Sequence, residues 1–231
     1  MLHSDNKGLV LPPRVAPVQV VIIPIHFKGK IEMVNEKAAW LTQLLKKAGI
    51  RAKLDDRPYS PGWKQNDHEL HGVPLRVELG PRDVENSTVV VARRDKPAKE
   101  FKVSLTLNED LPKVLHDLLE EVQANLFETA KAKTAAQTVD VTKWEDFVPA
   151  LNNKCMVKAP WCEAVLCEND IKKRSKEEAE ATGAEESAST LTGAAKSLCI
   201  PFEQREMAEG TLCFTGCGTA AKSWTLFGRS Y

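Results

Sequence analysis

Four of the six cysteines form two close pairs, and their spacing is the clearest chemical signal in the chain. Cys162 and Cys167 are separated by four residues, Cys213 and Cys217 by three, with 45 residues between the pairs. Such pairs suit a tetrahedral Zn²⁺, because each short loop can bend until both sulfurs face one ion. Four thiolates would leave no open coordination position, so the site would be structural, contributing folding energy and no catalysis. The alternative is two pairs of free thiols. The weak hydrophobic content between 154 and 231 favours a metal staple. Cys155 and Cys199 stand alone in strand-like contexts and read as plain buried residues. His68 and His71 flank Glu69 at a spacing that could hold a metal, but no third ligand is evident and solvated surface histidines are expected. Neither G-x-G-x-x-G nor G-x-x-x-x-G-K-[ST] is present, and no G-x-S-x-G or H-E-x-x-H occurs.

The elements that must carry these residues form two textures. Residues 1–17 contain Gly8, Pro12, Pro13 and Pro17 and read as a short extended piece, Leu9 to Leu11, followed by a stiff entry. From Val18 strand and helix alternate. VQVVIIPI (18–25) is a β-branched run suited to a strand buried on both faces. Asn35 is the expected cap of a helix with Ala38, Leu41, Leu45 and Ala48 on one face, stopped by Gly49. Strands follow at 50–56, 73–80, 87–94 and 100–107, with a Ser-Pro-initiated helix at 60–72 and a long amphipathic helix at 111–132. The fold class is α/β, a mostly parallel or mixed five-stranded sheet with helices on both faces, followed by a small α+β domain. The boundary falls near 137. Beyond it come an amphipathic helix (143–153), strands at 154–162, 197–202 and 223–227, and a solvated helix and loop over 168–197.

Composition limits the class of partner. In 231 residues, 32 basic side chains balance 32 acidic ones, which excludes binding nucleic acid by bulk charge but leaves room for a local basic patch. No apolar run reaches membrane-spanning length and the N-terminus lacks a signal-peptide layout. The cysteine usage suits a reducing, cytoplasmic setting.

Three strings carry a family resemblance: GLVLPPRVAPVQVVIIP (8–24), YSPGWKQNDHELHGVPLRVELGPRD (59–83) and TLFGRSY (225–231). They resemble the C-terminal part of prolyl-tRNA synthetase of the eukaryotic and archaeal type, from about residue 3 onward. The resemblance implies a remnant of the class II catalytic domain at 1–17, an anticodon-binding domain at 18–136 and a zinc-binding C-terminal domain at 137–231. Arg14 matches the motif 3 arginine that contacts ATP phosphates. Motifs 1 and 2 have no counterpart, and Ser4 replaces the usual glycine, so this chain alone is not expected to activate proline. ATP and Mg²⁺ would serve only the complete enzyme, a homodimer through its catalytic domain. A free-standing tRNA-binding module without catalysis is the alternative.

The same resemblance assigns anticodon contacts to Glu69, Arg76, Arg82 and Lys99, with Lys64 and Arg57 as phosphate contacts at most. The chemistry is consistent with tRNA(Pro), whose anticodon carries guanines at its second and third positions. A carboxylate accepts from guanine N1–H and N2–H₂, while O6 and N7 accept from Arg or Lys. In the zinc set the family supports Cys162, Cys167 and Cys217, with Cys213 three residues from its partner where one or two are usual.

Overall fold

The computed structural model describes residues 3–96, 100, 102–181 and 193–229, in two compact units that divide at Lys131 and Ala132. Residues 3–17 pack within the first unit.

In that unit, β1 (Ser4–Asp5) and β2 (Gly8–Leu9) form a small antiparallel hairpin. The entry segment that follows is held by Arg51, which donates to the carbonyls of Ala16 (2.8 Å) and Pro13 (2.7 Å). β3 (Val20–Pro24) is buried at every position, which is why its sequence lacks polar alternation. Next come α1 (Ile31–Lys47), β4 (Ala52–Leu54), α2 (Pro61–Leu70) and β5 (Leu75–Leu79). A short α3 (Pro81–Glu85), not anticipated from sequence, precedes β6 (Thr88–Arg93), β7 (Lys102–Thr106) and α4 (Leu111–Ala136).

The sheet order is β4-β3-β5-β6-β7. β3 pairs in parallel with β4 and β5, whereas β5, β6 and β7 run antiparallel to one another. The parallel character therefore stops at β5. The connections on either side of β6 are too short for the crossover of a dozen or more residues that parallel pairing needs. Val20 and Ile22 join the core formed with Ala38, Leu41 and Leu45 of α1 and Leu115, Leu119 and Val122 of α4. Their neighbours Val21 and Ile23 point to the opposite face, as the two-residue period of a strand requires.

Helix starts differ in how well sequence exposes them. Ser60 caps α2 as its Ser-Pro signal implies, its hydroxyl accepting from the Trp63 amide at 3.3 Å. Ser60→Ala is expected to cost about 1 kcal/mol of first-unit stability, measured by urea unfolding. Asn35 is not a cap. It lies inside α1, where its amide bonds the His26 ring at 2.7 Å, and the N-terminal position is Lys30 with no side-chain cap. The loop that starts α1 is set by tertiary contacts, including the Lys30–Glu85 pair.

The second unit contains β8 (Thr138–Asp140), α5 (Trp144–Asn152), β9 (Met156–Trp161), α6 (Val165–Ala181), β10 (Ala195–Cys199) and β11 (Ser223–Arg229). Its sheet order is β10-β11-β9-β8, with β8 parallel to β9 and the other pairs antiparallel. The core is aromatic: Phe147 meets Phe214 at 4.8 Å and Phe227 edge-on at 5.6 Å, with Trp144 and Trp161 alongside. Such rings bury more area per residue than the aliphatic count of this stretch suggested. α6 turns only Cys167, Ile171, Ser175 and Ala179 inward, and the loop expected after it falls on 182–192, outside the described residues. Cys155 is only partly buried and Cys199 is exposed, so neither is the core residue expected.

Candidate functional site

The end of β9, the first turn of α6 and the loop before β11 bring four cysteines together. Cys162 directly follows β9, and Cys167 lies in the first turn of α6. The turn between them is made by Glu163 in the left-handed region at φ 61°. Cys213 and Cys217 sit on a tight loop that turns at Gly216 and Gly218, φ +79° and +75°, where a side chain would be strained. That loop is fastened to the strand by the Phe214 amide on the Pro160 carbonyl and the Lys222 amide on the Trp161 carbonyl. The β9–β11 ladder and these hydrogen bonds bring the two loops together, so the pairs expected from their spacing to share one ion do meet.

All four sulfurs lie within 4.8 Å of one another. Cys167 and Cys213 are 3.7 Å apart, Cys162 and Cys217 3.9 Å. These separations are far beyond a disulfide bond of about 2.05 Å. They match the edge of a tetrahedron with Zn–S bonds of about 2.3 Å, which is about 3.8 Å. Donor type, number and spacing thus fit a closed metal site.

The thiols differ in environment. Burial pushes the Cys167 thiol up to about 12, and burial also raises Cys162. Burial opposes ionisation of Cys217 as well, but the Thr219 amide and the Thr215 and Thr219 hydroxyls hold it at about 6. One thiolate is therefore ready to meet a cation, whereas Cys162 and Cys167 need the cation to replace their protons. Arg174 donates to the Thr215 carbonyl at 3.0 Å and stacks on Trp144 at 3.8 Å, placing a positive charge beside the cluster.

The second constellation lies in the first unit, where the C-terminal end of α2 meets the start of β5 and the end of β6. Glu69, Arg76, Arg93, Arg94 and Lys96 line one shallow depression with His68 and Val73. It joins Glu69 and Arg76, two of the expected base contacts. Arg82 is not among its lining residues. It lies beyond the far end of β5, and about 3.3 Å per strand residue puts it well away from Arg76. Lys99 lies outside the described residues. Sequence reasoning missed Arg93, which reaches Glu121 of α4, and Arg94, which follows β6 and donates to the Glu69 carbonyl of α2. Arg76 is held by Glu78 at 3.0 Å, Arg93 by Asp95 at 2.7 Å and Arg94 by a bidentate pair with Asp5 at 2.7 Å. The Glu69 carboxylate meets Lys7 at 3.2 Å.

Beneath this depression a buried network accounts for three other residues. Lys64 is 2% exposed and donates to the Asp55 carbonyl at 2.8 Å. Arg57 clamps Asp55 at 2.7 Å and Asp67 at 2.8 Å. Of the two cations expected at phosphates, Lys64 is thus buried inside the unit, and Arg57, partly exposed, is held by two aspartates. His68 is not solvated either, since its Nε2 bonds the buried Asp55 carboxylate at 2.7 Å. His71 is exposed, so the two histidines do not form a site. Arg14 pairs with Glu120 of α4 at 2.9 Å, and its amide donates to Gln123. There it fastens the entry segment to α4.

Comparisons with known proteins follow the same two units. An anticodon-binding domain model matches residues 19–117, and a model of the C-terminal domain of prolyl-tRNA synthetase matches residues 144–231. All of the chain aligns with the cytoplasmic proline–tRNA ligase of Arabidopsis thaliana at 46% identity, covering 41% of that protein. A putative proline–tRNA ligase of Saccharomyces cerevisiae is 43% identical with 34% covered, and the Lachnoclostridium phytofermentans proline–tRNA ligase is 40% identical with 43% covered. The chain spans about two fifths or less of these relatives.

Proposed function

The chain carries the anticodon-binding and C-terminal domains of the prolyl-tRNA synthetase family, and on that premise we propose that it reads the anticodon of tRNA(Pro) for a proline–tRNA ligase. The observation that carries this reading is the Glu69 carboxylate set among Arg76, Arg93, Arg94 and Lys96 in one depression. An unpaired guanine offers a donor edge to the carboxylate and acceptors to Arg76, while Arg93 and Arg94 are held by Asp95, Glu121 and Asp5. Bases of a single-stranded loop are splayed out, so these edges are reachable. Arg82, beyond the opposite end of β5, would touch a different part of the same RNA, and Lys99 stays in the proposal as a base contact.

The four cysteines would hold a structural Zn²⁺ that ties the loop before β11 to α6 and β9. Proline activation with ATP and Mg²⁺, and a homodimer, belong in this proposal to the complete ligase, working in the cytoplasm. No described helix is long and apolar enough to cross a membrane.

The test is binding to an RNA hairpin bearing the proline anticodon. Glu69→Ala is expected to cost about 1–3 kcal/mol for the cognate hairpin and to erase discrimination against a changed guanine. Removing a negative charge near RNA should otherwise help. If Glu69→Ala tightens cognate and altered hairpins equally, Glu69 is a surface carboxylate and the base-reading role is wrong.

A further inference from the structure

The hairpin β1–β2 is fastened to the rim of the depression by backbone contact and by ion pairs. Gly8 has φ +131°, and a Cβ there would lie 2.5 Å from the Leu70 carbonyl oxygen. Gly72 has φ +73°, and a Cβ there would lie 2.7 Å from Leu9. Two glycines thus let the hairpin and the end of α2 touch backbone to backbone, and the Leu11 amide donates to the Gly72 carbonyl at 3.1 Å. The polar contacts made from this perch converge on Glu69. Asp5 takes both terminal nitrogens of Arg94 at 2.7 Å, and Arg94 Nε donates to the Glu69 carbonyl at 2.8 Å. From the other side of the hairpin, Lys7 reaches the Glu69 carboxylate. The Arg94 side chain is 6% exposed, so it has little freedom once Asp5 holds it.

We propose that the β1–β2 hairpin is a positioning element of the RNA-reading depression: Asp5, through Arg94, fixes the end of α2 from which Glu69 reaches a base, and Lys7 holds the carboxylate until a base displaces it. The proposal rests on the base-reading role given above to Glu69. A bidentate hydrogen bond to a base edge needs its acceptor placed to within a fraction of an ångström, and α2 ends at residue 70, where a helix frays most readily. Asp5 and Arg94 supply the missing restraint from outside the helix. Asp5 is accordingly a positioning residue, with no contact to RNA of its own.

The experiment uses the 231-residue chain and two RNA hairpins, one with guanine and one with inosine at the second anticodon position. Inosine lacks only the N2 amino group, so the affinity ratio reports on the carboxylate contact. The wild-type ratio is expected to be about tenfold, the loss of one charge-assisted hydrogen bond. Asp5→Ala is expected to bring this ratio close to one, as Glu69→Gln does, and the double variant should fall no further. Gly8→Ala, which pushes the hairpin off α2 without changing charge, should do the same, with thermal unfolding confirming that both variants are folded. If Asp5→Ala and Gly8→Ala leave the ratio at the wild-type value, or shift both affinities in parallel, the positioning role is wrong. A wild-type ratio of one would instead refute the base-reading role of Glu69 itself.

Discussion

If the four cysteines hold a metal as proposed, removing it is expected to cost the second unit its cooperative fold while the first unit keeps its own. The four sulfurs already stand at tetrahedral spacing, and three of them are buried. Without a cation, the Cys162 and Cys167 thiols must stay protonated in a site whose shape suits thiolates. The apparent binding free energy of a structural zinc, about 10–16 kcal/mol, is comparable to the whole stability of a unit this size. The aromatic core around Phe147 and Phe227 would then stand without the anchor that fixes residues 213–217. Two calorimetric transitions are expected for the loaded protein, with a strong chelator abolishing or greatly lowering only the second unit's. Elemental analysis should give about one zinc per chain. Cys213→Ser should match Cys167→Ser in effect if all four thiols are ligands. Metal-free protein with both transitions unchanged would show that the thiols are unligated.

Asp55→Ala is expected to destabilise the first unit by about 1–3 kcal/mol, the cost of leaving a buried hydrogen-bonding group without its acceptor. Asp55 is 1% exposed and accepts from both Arg57 and His68. Its loss would leave the His68 ring buried without that acceptor and would free Arg57 from its clamp, loosening the helix that carries Glu69. The hydrogen bonds from Arg57, and then from His68, hold the Asp55 carboxyl well below the usual carboxylate range. Burial lowers His68, which stays neutral at pH 7. A carboxylate with a depressed folded-state value contributes fully above its unfolded value of about 4 and loses that contribution as pH falls through the folded value. A depressed histidine adds in the same direction, since below about 6.5 the unfolded chain takes up the proton first. Wild-type stability is therefore expected to fall on acidification from pH 6 to 3, and that of Asp55→Ala to fall less steeply. Denaturant unfolding across this range checks both statements. An equal pH slope in the two proteins would remove Asp55 from this role.

Some of these residues were legible because their signals are local. The apolar run at 18–25, the spacing of Leu115, Leu118 and Val122, and the Ser-Pro start of α2 each reflect a neighbour or one helix turn away. Asn35 misled for the same reason: it is a good cap type at a plausible place, but contacts from His26 and Glu85 set where α1 begins.

The cysteine spacing alone determined that two loops could each present a pair of sulfurs, and the charge balance determined that any RNA contact must be local. That the two loops face one point was decided by the β9–β11 ladder, which joins positions more than 60 residues apart. The roles of the basic side chains were likewise decided in three dimensions. Lys64, Arg57, Arg76 and Arg94 look alike in the sequence, yet the first is buried on a carbonyl and the second clamps two aspartates. Arg76 and Arg94 line the depression with Glu69. A charged side chain's task depends on which partner its long flexible stem finds, and that partner is set by packing between elements distant in the chain.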